Sequence, residues 1–139
     1  MFNARRTVNF GFFALFGMAL WPLAATIGPK IEGSIFPVAA GTQITVYEAV
    51  DEAWTDVYGY SRKIRECEFH HIEWSYEKDK KRVFADVVIK EPTKARGGGE
   101  FSFGAWSVKL TPDQIRQDSR ATTYHRCHPF WLTETTFFP

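Results

Sequence analysis

The chain has 139 residues, with 17 basic and 16 acidic side chains and 17% aromatics, a length that suits one compact domain plus an appendage. Arg5 and Arg6 are the only charges in residues 1–29, which leaves 15 basic against 16 acidic residues, a net of −1, in residues 30–139. Nucleic-acid binding rests on a basic patch that neutralises phosphates, so this balance argues against that class.

After the basic start comes a charge-free run from Thr7 to Ile27, rich in Phe, Leu and Met. As a helix it covers roughly 30 Å, the thickness of a bilayer's hydrocarbon core. A lipid bilayer is therefore the expected partner of residues 7–27. Trp21 lies late in the run, where an amphipathic ring can rest at the interface. Pro22 is expected to kink the last turn, and Gly28-Pro29 to end the helix. Asn9, the one strongly polar side chain in the run, lies close enough to its start to reach headgroups. Gly11 and Gly17 do not share a face, so helix-driven dimerisation is not indicated. The arginines before the span, against Lys30 balanced by Glu32 after it, predict a cytoplasmic N-terminus and an exported remainder. The expected location is the inner (cytoplasmic) membrane, single-pass, with the C-terminal domain periplasmic or extracellular. A cleaved signal is the rival reading. Leu23-Ala24-Ala25 is a passable cleavage site, Val38-Ala39-Ala40 lies too far from the apolar core, and a mature start near Thr26 would result.

The expected organisation is a tip and transmembrane helix over residues 1–29, a linker over 30–42 and a β domain over 43–139. Short segments rich in β-branched and aromatic residues recur there between turn signals. The first two are Ile44–Val50 and Trp54–Tyr60. Glu68–Tyr76 alternates Ile72, Trp74 and Tyr76 against Glu73 and Ser75, and Glu77–Lys81 turns the chain into Arg82–Lys90. Val83, Ala85, Val87 and Ile89 share a face there, so these two segments predict a hairpin with a basic tip. Glu91-Pro92 opens a mobile loop ending in Gly97-Gly98-Gly99, which lacks the Lys-Ser/Thr sequel of a phosphate cradle. A strand then runs to Leu110, with Trp106, Val108 and Leu110 on one face. Thr111-Pro112-Asp113-Gln114 predicts an N-capped helical turn. Ala121–Cys127 and Trp131–Phe138 complete about seven strands, the count of an immunoglobulin- or fibronectin-like sandwich.

Cys67, Trp74 and Cys127 resemble the Cys…Trp…Cys order of immunoglobulin domains. The tryptophan, however, follows the first cysteine by only seven residues. Tyr124 precedes the second cysteine by three, whereas the tyrosine corner requires two.

A lone cysteine pair in an exported domain predicts a Cys67–Cys127 disulfide. The alternative is a metal site drawn from Cys67, His71, His125 and Cys127, since Cys67-x-x-His70-His71 and His125-x-Cys127-His128 hold the ligand types zinc prefers. Alternation along strands lets at most about half of those groups face one point. No metal or other cofactor is therefore expected. Glu48, Asp51, Glu52 and Asp56 are acids near strand ends, where solvated turn residues are the default, and nothing pairs them as acid and base. No Gly-x-Ser-x-Gly or Cys-x-x-Cys-His is present. No catalytic residue is assigned.

The basic start, the single span, the exit Gly-Pro-Lys-Ile-Glu-Gly-x-x-Phe-Pro-Val at residues 28–38 and the cysteine-linked β domain resemble small single-span membrane proteins of bacteria and their phages. The resemblance implies no activity. The expectation is a non-enzymatic, membrane-anchored accessory or interaction protein whose partner is another membrane or periplasmic protein. Two alternatives stay open. One is a phage-type protein of lysis control or superinfection exclusion; the other is a secreted binding domain. Phe137-Phe138-Pro139 is a candidate partner surface, although core packing is the commoner fate of such residues.

Overall fold

A computed structural model describes residues 4–90 and 97–139. Helix α1 runs over Ala4–Ile35 and contains both Pro22 and Pro29. It does not end at Gly28-Pro29, and the expected linker is occupied by its last turns and by the start of the first strand. Each proline removes one intrahelical hydrogen bond. Around Pro29 the loss is offset by tertiary contacts, because Pro29 is buried and the turns beside it pack on the β domain.

The β domain is two antiparallel four-stranded sheets. β1 (Ala39–Ala49), β2 (Thr55–Lys63), β6 (Gly99–Val108) and β5 (Val87–Ile89) form one in the order β1-β2-β6-β5. β4 (Lys81–Ala85), β3 (Glu68–Lys78), β7 (Ser119–Arg126) and β8 (Thr133–Phe138) form the other in the order β4-β3-β7-β8. The mainly β sandwich architecture expected from the strand pattern is present. The β3–β4 hairpin forms too, with its turn tightened to Asp79-Lys80, both at positive φ (51° and 60°) between paired Lys78 and Lys81. Two central residues at φ > 0 are the signature of a type I′ turn, whose twist matches the strands it joins.

The described strands number eight because the expected strand Arg82–Lys90 is two. The chain leaves one sheet at Ala85, corners at Asp86, and enters the other at Val87. The Asp86 carbonyl accepts from Lys109 N (2.9 Å) at the corner. Period-two alternation continues through the crossing, so the pattern reads as unbroken. The expected mobile loop falls mostly on residues 91–96, outside the described residues.

Between the sheets lie Val57, Phe103, Trp106 and Val108 from one side and Trp74, Ala121 and Phe137 from the other, all under 8% exposed. Phe103, Trp106 and Phe137 form a ring cluster with centroids 4.5–5.4 Å apart. Phe137 is thus core rather than partner surface, and Phe138 packs near Trp74. The expected capping box forms: Thr111 and Gln114 bond reciprocally at the start of α2 (Pro112–Asp118). This helix drops Ile115 into the core. Asp56 departs from the turn-residue default. It is a buried β2 side chain that accepts from Lys90 Nζ (2.6 Å) and Ser107 Oγ and so ties β2 to β6 and to the end of β5.

Candidate functional site at the junction of helix and sandwich

A dense polar arrangement outside the core sits where α1 meets the sheets. Ala25, Gly28, Pro29, Glu32 and Gly33 recur at helical spacing and are the covered positions of the helix after Trp21. All but Glu32 are small or compact, which lets the helix approach β8 closely. A Cβ at Gly33 would overlap the Glu134 carbonyl oxygen, and one at Gly28 would stand 3.0 Å from the Trp131 ring.

Glu32 is the exception and the hub. Oε1 accepts from Arg65 Nη2 at 2.9 Å, and Oε2 accepts from Trp131 Nε1 at 2.9 Å and pairs with His128 Nε2 at 2.7 Å. Arg65 also donates through Nη1 to the Phe36 carbonyl (2.9 Å), satisfying a backbone acceptor just past the helix end. Since His128 Nδ1 accepts from Phe130 N at 3.3 Å, the proton on this ring sits on Nε2, which donates to Glu32. Burial alone would raise the Glu32 carboxyl pKa. The bonds from His128, Trp131 and Arg65 outweigh it and hold the pKa at about 2.

Arg65 comes from the β2–β3 connection and His128 and Trp131 from the β7–β8 connection. The Cys67–Cys127 disulfide joins those two connections, with Cα atoms 4.6 Å apart. It flanks the paired ends Glu68↔Arg126 of neighbouring strands within one sheet. In immunoglobulin domains the bridge instead links the two sheets, so the shared Cys…Trp…Cys order reflects a different construction. Trp74 pairs with Ala121 and donates to Ser119 Oγ (2.9 Å), toward the far end of β7 from Cys127.

The alternative metal set does not assemble. Both cysteines are spent in the disulfide. His71 lies on the outer face of its sheet, stacked on Tyr124 (4.3 Å), while His125 points inward against Phe69. Among the described residues no three His, Cys, Asp or Glu side chains converge as a metal site. Among the described residues the buried His125 Nδ1 meets no hydrogen-bond partner. Burial, reinforced by the charge of Lys63, lowers its pKa to about 4.

The Glu32 cluster was missed in the sequence, where Glu32 serves only to balance Lys30. The available signal was the run Gly28-Pro29-x-x-Glu32-Gly33, a carboxylate set in a small-residue stripe.

From Val8 to Leu20 the helix is largely without protein cover. Phe10, Phe12, Phe13, Leu15, Phe16 and Met18 are all more than half exposed. Over Val8–Ile35 the helix is long and apolar enough to cross a membrane. The comparisons with protein-family models, curated proteins and solved structures found no match.

Proposed function

We propose that this protein is a non-enzymatic, single-pass membrane protein that holds an extracytoplasmic β-sandwich at a fixed attitude to the bilayer, as an accessory or interaction subunit of a membrane complex. The carrying observation is the continuity of α1: one helix is apolar and largely uncovered over residues 8–24, with Trp21 meeting Phe130, and is then packed and hydrogen-bonded to the sandwich through residues 25–36. A flexible tether would display a domain without orienting it. Here rotation or tilt of the helix is passed to the sandwich through Gly28, Glu32 and Gly33. The basic start and charge-free span support a cytoplasmic N-terminus, and the disulfide supports an oxidising compartment for the sandwich.

The test has two parts. Fractionation is expected to leave the chain in carbonate-washed membranes with its thiols oxidised. A cytosolic chain with free thiols would overturn the placement. Isolation in mild detergent is expected to recover a second membrane protein at fixed ratio, and recovery of the chain alone would overturn the accessory role while leaving the anchor standing.

A further inference from the structure

The β7–β8 connection does more than bind Glu32. From Cys127 it runs back along α1 toward the helix N-terminus. Trp131 covers Gly28, and two helical turns further on the Phe130 ring meets Trp21 with centroids 6.4 Å apart. Phe130 is 64% exposed and Trp21 51% exposed, so both rings project from the folded chain side by side.

Their depth follows from the length of the helix. With Arg6 at the inner boundary, a hydrocarbon core of about 30 Å ends about 20 residues later, near Ile27. Trp21 then lies about 9 Å inside that boundary at about 1.5 Å per residue. The Phe130 ring, in contact with it, reaches inside beside it.

The loop is chemically fit for that position. Pro129 has no N–H, Phe130 N–H donates to His128 Nδ1, and the indole N–H of Trp131 donates to Glu32. These donors are satisfied within the protein, which lowers the cost of holding the two rings against lipid while the loop backbone stays at the polar interface. Glu32 and Arg65 sit above the boundary and pair with one another.

Resting on the membrane placement of α1, we propose that residues 128–131 form a second membrane contact. Phe130 and Trp131 act as an aromatic wedge seated in the acyl–glycerol layer of the outer leaflet beside the span. The near-neutral domain makes this a contact with the apolar interface rather than with anionic headgroups. Two contacts, helix and wedge, resist tilting of the helix and its docked sandwich against the bilayer, which a single helix resists less.

The experiment uses the full chain in phosphatidylcholine nanodiscs, with 4-trifluoromethylphenylalanine replacing Phe13, Phe130 or Phe84 in separate samples. Phe84 is an exposed β4 residue toward the opposite end of the sandwich. Fluorine signals are broadened either by a lipid carrying a nitroxide high on its acyl chain or by a soluble gadolinium chelate. Thermal melting of each sample verifies the fold. Phe13 and Phe130 are expected to broaden several-fold more with the lipid label, and Phe84 with the chelate. Phe130 responding to the chelate while Phe13 responds to the lipid overturns the wedge and leaves the span intact. Phe130 shielded from both agents, as by a protein partner, also overturns it. If Phe13 itself ignores the lipid label, the membrane placement fails and the wedge falls with it.

Discussion

The two stretches of α1 on either side of Ala25 have similar helical geometry and opposite surroundings. From Val8 to Leu20 the side chains are mostly apolar and largely bare. From Ala25 onward one face carries Ala, Gly, Pro, Glu and Gly and lies against β8 and the loop before it. A methyl group at Gly11 or Gly17 would meet nothing within 4 Å among the described residues, whereas Gly28 and Gly33 stand against Trp131 and the Glu134 backbone. One helix therefore carries two kinds of surface. Its first part is uncovered and belongs to a stretch long and apolar enough to cross a membrane. Its second part is shaped for a protein surface, where close approach and satisfied polar groups decide the outcome.

Substitution at matched glycines gives the largest expected contrast. Gly33→Ala has no room, because β8 backbone rather than a mobile side chain occupies the space. The helix end must lift from β8, with an expected loss of about 3 kcal/mol or more, the range of overpacked interiors and beyond. Gly17→Ala should leave unfolding within about 0.5 kcal/mol of the parent. Thermal melts of both variants in the same detergent measure the difference, and equal melts would erase the distinction between the two halves.

Removing the disulfide with Cys67→Ser and Cys127→Ser together tests whether the docked half depends on stapled loops. A closed loop of about 60 residues is worth roughly 4 kcal/mol in the chain-entropy model, an upper value before native strain is subtracted. The variant is expected to unfold at lower denaturant. Hydrogen exchange should quicken first at residues 128–136 and 32–36 and stay unchanged in the bare stretch.

Acid should loosen the same region. His125, two residues from Cys127 and paired with Thr133, is held neutral by burial, with a pKa near 4 against an ordinary value of 6.5. Because the folded value is the lower one, its neutral form is fully compatible with folding above about pH 6.5. Stability then declines as the pH falls from there to about 4. At about 1.4 kcal/mol per unit the whole decline is at most about 3–4 kcal/mol. Denaturant midpoints across that window, compared with His125→Phe, isolate this effect. A parent and variant with parallel pH profiles would remove His125 from the account.

The smallest effect belongs to the ion pair. Glu32→Gln keeps the shape but puts a donating amide where one accepting oxygen stood, so the bonds on that side are lost and the rest lose their charge assistance, for an expected loss of about 1–3 kcal/mol. A double-mutant cycle with Arg65→Met should return a coupling of about 1 kcal/mol. Zero coupling would mean that Arg65 serves the Phe36 carbonyl alone.

Much of this molecule was legible in residue order. The apolar run at 7–27, the alternation of Ile72, Trp74 and Tyr76, and the Thr111–Gln114 capping box depend on neighbours within about seven positions. Those local rules held. The disulfide was legible for a different reason: only two cysteines exist, and pairing them leaves nothing to choose. Period-two alternation could not reveal that Arg82–Lys90 serves two sheets, because inward-facing positions stay inward when a strand corners around a shared core.

Local chemistry thus determined where the chain is apolar, where it alternates and where it caps. Long-range packing decided that α1 passes through Pro29 to Ile35, that Cys67 and Cys127 fasten neighbouring strands rather than facing sheets, and that Glu32 gathers Arg65, His128 and Trp131. Proline ends a helix by its intrinsic preference, but burial of Pro29 and docking of Gly33 on β8 outweigh one lost backbone bond. A carboxylate's partners 33 to 99 residues away are set by how the strands stack, which no local pattern encodes.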